Sequence, residues 1–163
     1  METDIKIKPC KKVETFDSNK KPNGWLLEII SDRDAFTENL TGQVYLTTIK
    51  PGEEKGFHVH AGAKYFVTCL KGRIKSVIYT DRFNKQEIQS GDGNFKTYEL
   101  PLGSAHLLSN KGDKEEAYVL IYRFPSWSPD FKEQLDISPE EIDTEETWRK
   151  INSFVKKIQL QAF

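Results

Sequence analysis

Residues 55–64 read KGFHVHAGAK and residues 101–110 read PLGSAHLLSN, and between them they hold every histidine of the chain, His58, His60 and His106. On an extended strand, side chains two apart share a face, so His58 and His60 point the same way. Five residues separate Gly52 from His58, Lys64 follows His60 by four, and Gly72 opens the next turn. The second stretch carries Pro101, Gly103, His106 and Asn110 at fixed intervals. Paired imidazoles on one strand face point to a metal or to acid–base work, and the ammonium of Lys64 argues against the metal.

The surrounding chain reads as strands. Segments 42–49, 64–70, 73–80, 96–101 and 117–124 are short and rich in Val, Ile, Tyr, Thr and Phe, and turn-forming residues separate them. This spacing predicts a sandwich or barrel of antiparallel strands. After it, SPEEIDTEETWRKINSFVKKIQ reads as a helix over about 138–160, with Ser138 as N-cap, Pro139 at the first position and Glu141 completing a capping box. Trp148, Ile151, Val155 and Ile158 give it one apolar face. Such a face packs on the outside of the barrel or on a partner subunit. The first 24 residues are polar and lysine-rich, and read as loop plus an edge strand.

A length of 163 residues fits a single domain, with its barrel at about 25–130. Charged residues make up 30% of the chain, its net charge is −1, and its mean hydropathy is −0.62. No apolar run approaches a membrane span, no basic stripe argues for nucleic acid, and the first residues lack a signal peptide's order. Cys10 and Cys69 match neither a disulfide framework nor a zinc spacing. The expectation is a cytoplasmic protein with a small-molecule partner.

The two histidine segments resemble the paired motifs of the cupins, G-x5-H-x-H-x3-E-x6-G and P-x-G-x-x-H-x-x-x-N. The second is matched at every fixed position. In the first, Lys64 stands at the glutamate and the last glycine is one residue late. The resemblance implies an all-β cupin jelly-roll barrel with a C-terminal helix. Metal-binding cupins use three histidines and a carboxylate, so the alternative to a metal-free site is a divalent transition metal on His58, His60 and His106.

Residues 30–130 are similar, more narrowly, to dTDP-4-dehydrorhamnose 3,5-epimerases, metal-free cupins that epimerise a nucleotide-linked keto-sugar. That resemblance implies His58 as base, Lys64 as the cation beside it and Tyr122 as acid. It also implies Arg33 as a phosphate-binding arginine that reaches a neighbouring subunit's site, with Phe36, Gln43 and Tyr45 near the substrate. Lys55 stands in the place of an arginine and binds oxygen atoms as a point charge. His60, His106 and Trp127 complete the expected substrate contacts, and Asp136 or Asp143 would orient His58.

The implied function is epimerisation of a dTDP-4-keto-6-deoxyhexose by a homodimer without a cofactor. The alternatives are a 3,4-ketoisomerase, a metal-dependent cupin enzyme and a non-catalytic sugar-binding barrel.

Overall fold

A computed structural model describes residues 11–31, 33, 42–112 and 114–161. Phe36 and Cys10 lie outside the described residues. The strands are β1 (Lys11–Phe16), β2 (Pro22–Ser31), β3 (Gln43–Ile49), β4 (Glu54–His60), β5 (Lys64–Lys71), β6 (Arg73–Tyr79), β7 (Lys85–Gly91), β8 (Thr97–Leu100), β9 (Ala105–Ser109), β10 (Ala117–Phe124) and β11 (Gln134–Asp136). They form two antiparallel sheets, ordered β1-β2-β3-β10-β5-β8 and β11-β4-β9-β6-β7. The long crossovers that interleave strands between the sheets make this a jelly-roll sandwich.

Period-two alternation sorts the side chains into two apolar clusters. Val67, Cys69, Ile74, Ile78, Leu108, Val119 and Ile121 fill the space between the sheets. The opposite phase of the five-stranded sheet, with Phe57, Val59 and Ala105, faces Ile142, Trp148 and Ile151. The helix therefore covers the outer face of that sheet, and sheet and helix bury their apolar sides together.

The helix starts later than expected. Ser138 caps only a 3-10 turn, Pro139–Glu141, and makes no side-chain cap bond. The α-helix α1 spans Glu145–Gln161, and Thr144 Oγ1 accepts the N–H of Thr147 at 3.2 Å. Trp148 Nε1 donates to the carbonyl of Ile142 at 2.8 Å, which fixes the turn between the two. The α-helical cap thus falls at Thr144, six residues after the expected Ser138, where tertiary contact with Trp148 sets it.

The second histidine segment fixes both ends of β9. Gly103 adopts φ +79, a conformation that favours glycine, and its N–H donates to the carbonyl of His60 at 2.8 Å. Asn110 is buried, and its Nδ2 donates to the carbonyls of Ile49 at 3.0 Å and Glu115 at 2.8 Å while Oδ1 accepts from Gly112 N at 3.0 Å. Asn110→Ala leaves the buried carbonyl of Ile49 and the part-buried carbonyl of Glu115 without these donors. It should lower stability in urea titration by about 2–4 kcal/mol; a loss near zero would show that Asn110 does not staple the loop.

Candidate active site

Between the sheets lies a cavity of about 510 Å³, within the range of small-molecule sites. The inner face of the five-stranded sheet gives it Lys55, His58, His60, His106 and Gln134, and the six-stranded sheet gives it Asn23, Glu28, Gln43, Tyr45, Thr47, Tyr65 and Arg123. Trp127 lies at its edge, half exposed. Strict alternation would turn Lys55 away from His58. The register of β4 against β9 shifts between Gly56 and His58, so Phe57 is an extra residue. Lys55 then faces the same cavity as both histidines.

His58 lies opposite Asp136 in the β4–β11 pairing and opposite His106 in the β4–β9 pairing. Its Nδ1 is 2.7 Å from Asp136 Oδ1, and Gln134 Nε2 donates to the same carboxylate oxygen at 2.8 Å. With Nδ1–H given to Asp136, the Nε2 lone pair of His58 has no hydrogen-bond partner among the described residues, as a general base requires. The bond to His58 holds the Asp136 carboxyl below its ordinary range, against the opposing effect of partial burial. Of the two expected orienting carboxylates, this geometry selects Asp136. Asp143 instead accepts, through its backbone carbonyl, a bond from Arg82.

His60 is buried, stacked on Tyr65 at 3.8 Å between ring centroids and on His106 at 5.2 Å. Its Nδ1 lies 3.2 Å from Glu133 Oε1. Burial lowers the pKa of His60 despite Glu133, and lowers that of His106 well below the ordinary value, helped by its two histidine neighbours. Both imidazoles are neutral near pH 7. Burial alone would raise Glu133, but the bonds and charges of His60 and Arg123 outweigh it and hold the carboxyl at about 2. Near pH 7, where His60 is neutral, Arg123 is the cation that balances Glu133.

The far end of the cavity has a different character. Lys55 Nζ donates to Thr15 Oγ1 at 2.9 Å and to Thr47 Oγ1 at 2.7 Å. Burial pulls this ammonium down to about 8. Gln43, at the histidine end, pairs with Arg123 and is four residues from Thr47 along β3. At strand rise that is about 13 Å.

Arg33 is turned to its own chain. Nη2 donates to Glu28 Oε2 at 2.8 Å, Nε donates to Ser31 Oγ at 3.0 Å, and the guanidinium sits 5.8 Å from the centre of the Trp127 ring. Gln43 Nε2 donates to the same Glu28 oxygen, and its Oε1 accepts from Trp127 N at 2.9 Å. Tyr45 faces the cavity, and burial keeps its phenol protonated by raising its pKa far above the ordinary value.

Two expected catalytic groups lie elsewhere. On β5 the inward phase is Tyr65, Val67 and Cys69, so Lys64 is exposed on the outer face. On β10 the inward phase is Val119, Ile121 and Arg123, so Tyr122 lies outside, with its ring 6.0 Å from that of Phe66. One residue of register explains the first displacement. Gly72 is one residue late if Lys64 takes the glutamate position of the motif, and on time if Tyr65 does. The residues that sequence reading did not single out are Tyr65, Arg123, Glu133 and Gln134. Arg123 had a signal, a charge in the inward phase of an apolar strand. Glu133, in a loop, had none.

Tyr65, not Lys64, falls where metal-binding cupins carry their carboxylate ligand. The carboxylate position is held by the Tyr65 phenol, which burial keeps protonated and which hydrogen-bonds Glu133 at 3.1 Å and Arg123 at 2.6 Å. The three imidazole rings stand 5.2 to 6.4 Å apart. Among the described residues, no group of three or more His, Cys, Asp or Glu side chains is arranged to hold a metal ion.

No family model matches the chain, and no curated protein matches it. Solved structures do. The capsular polysaccharide assembling protein CapF of Staphylococcus aureus is 19% identical, with a TM-score of 0.64, over 80% of this chain and 34% of that one. An oxalate decarboxylase of Lactobacillus farciminis is 14% identical, with a TM-score of 0.60, over 92% of this chain and 40% of that one. A variant oxalate decarboxylase of Bacillus subtilis is 15% identical, with a TM-score of 0.56, over 80% and 32%. The chain thus spans well under half the length of each. The chain shares its jelly-roll fold with these structures. Among the described residues no helix is long and apolar enough to cross a membrane.

The buried groups make stability depend on pH in a defined direction. The folded chain refuses protons that the unfolded chain accepts below 6.5 at His60 and His106, and below 4.5 at Glu133. Stability therefore falls as pH drops below 6.5, by up to about 1.4 kcal/mol per pH unit for each group. Urea midpoints at pH 7.5, 6 and 5 should decline in that order, and a flat profile would contradict burial of the neutral histidines.

Proposed function

We propose that this chain epimerises a nucleotide-linked 4-keto-6-deoxyhexose, with a dTDP sugar as the test substrate, by removing a proton from a carbon beside the ketone. The observation that carries the proposal is the His58–Asp136 pair on the cavity wall, 2.7 Å between Nδ1 and Oδ1. His58 Nε2 takes the proton. Tyr45 faces the same cavity from the opposite sheet, so a sugar ring held between the sheets meets a base on one face and a phenol on the other. This moves the acid role expected of Tyr122 to Tyr45.

The two ends of the cavity suit the two parts of such a substrate. Lys55 is a partly buried ammonium bonded to hydroxyls rather than to a carboxylate, a fit for a phosphate oxygen. The histidine end has neutral imidazoles and a compensated ion pair, a fit for an uncharged sugar. CapF is named as a capsular polysaccharide assembling protein, and a role in sugar biosynthesis is part of the same proposal. No metal or cofactor enters the reaction as proposed.

Incubating the protein with dTDP-4-keto-6-deoxyglucose in D2O should place deuterium at a carbon beside the ketone, read by NMR. His58→Ala should slow exchange by about 10²–10⁴-fold, while Lys64→Ala, on the outer face, should leave it unchanged. Deuterium without inversion, with the carbonyl moved to C3, would make the enzyme a 3,4-ketoisomerase. Full exchange in His58→Ala would refute the base assignment. Protein purified without chelator should lose any metal on dialysis and keep its activity; activity that depends on a stoichiometric, dialysis-resistant metal would contradict the reaction as proposed.

A further inference from the structure

Arg123 is 1% exposed and lines the cavity. Its Nε donates to Tyr65 Oη at 2.6 Å and its Nη2 to Glu133 Oε1 at 2.7 Å. Its Nη1 is buried and has no hydrogen-bond partner among the described residues. An arginine that serves only as a structural ion pair is commonly bidentate. Here the second oxygen of Glu133 faces the N–H of Gly62 at 3.3 Å, so the carboxylate meets the guanidinium with one oxygen. A buried donor left without an acceptor is costly, and two of its neighbours hold this one rigidly.

We propose that Arg123 Nη1 is the donor to the ketone oxygen of the substrate, and that Glu133 and Tyr65 are its positioning residues. The assignment rests on the proposed epimerase reading and gives Arg123 the role that Lys64, on the outer face, does not fill. When His58 Nε2 takes the proton, the C–H pair becomes the carbon–carbon π bond. The carbonyl π pair moves to oxygen, and the resulting enolate oxygen accepts Nη1–H. Reprotonation at the same carbon from Tyr45 restores the ketone with inverted configuration; His58 then releases its proton to solvent and Tyr45 regains one.

The surroundings suit this role. Glu133 cancels the charge of Arg123, and His60 and His106 are neutral, so a neutral ketone meets a donor whose charge is already balanced. Charge appears on the substrate only after the proton has left, beside a guanidinium already fixed in place. Donors preorganised in this way act on the transition state more than on binding.

The test compares wild type, Arg123→Ala and Arg123→Lys for deuterium exchange into dTDP-4-keto-6-deoxyglucose, with folding checked by thermal melting. Arg123→Ala should lower kcat by about 10²–10³-fold with little change in KM, and added guanidinium chloride at tens of millimolar should restore part of the rate. Arg123→Lys keeps the charge but not the fork, and should also lose kcat; it serves where the alanine variant does not fold. Folded variants that exchange at the wild-type rate, or a kcat loss that guanidinium does not relieve, would overturn the role of Arg123 and leave the epimerase reading standing. A wild-type protein that exchanges no deuterium would overturn both.

Discussion

A salt bridge closed to solvent organises the interior of this barrel. Arg123 Nη2 and Glu133 Oε1 lie 2.7 Å apart, with side chains only 2% and 3% exposed. Removing both charges from water costs several kcal/mol per ion, and the pair recovers this only with further hydrogen bonds. Glu133 collects them from His60, Tyr65 and the N–H of Gly62. A single carboxylate thereby fixes a guanidinium, an imidazole and a phenol on two facing sheets.

The same residue anchors the last strand. The carbonyl of Glu133 accepts the N–H of Ala61 at 2.9 Å, just beyond the end of β4. From that point Gln134, Leu135 and Asp136 pair with His60, Val59 and His58. Leu135 turns to the helix-side cluster, while Gln134 turns to the cavity and Asp136 to His58 at its wall. The register that buries Leu135 is thus the register that sets Asp136 against His58. Folding and the His58–Asp136 pair depend on one alignment of three residues, and a one-residue slip would lose both.

The strands and the jelly roll were legible because period-two alternation and turn residues are local signals. Both histidine segments were legible because glycine and proline fix their turns. The lining of the cavity was legible only in part. Lys55, His58, His60, His106, Gln43, Tyr45 and Trp127 do line the cavity. Lys64 and Tyr122 do not, because a residue's face depends on strand phase, and a motif counted one residue short inverts it. Lys55 reaches the cavity through the register shift at Phe57, which alternation does not foresee. Glu133 comes from a loop far along the chain, and no local pattern marks it. The N-cap at Thr144 over Ser138 is likewise a tertiary choice, made by the seat of Trp148.

The central claim is that the Glu133–Arg123 pair holds a neutral histidine end to the cavity, which the proposed reaction uses without a metal. Nitrogen-15 NMR of the histidine side chains, recorded from pH 8 to pH 6 on protein purified without chelator, reads it directly. The expected result is that both the His60 and the His106 rings are mainly neutral at pH 7 and titrate only below 6.5, with the proton of His60 on Nδ1. Either ring titrating at or above 6.5, or ring nitrogens carrying the shifts of metal coordination, would contradict it.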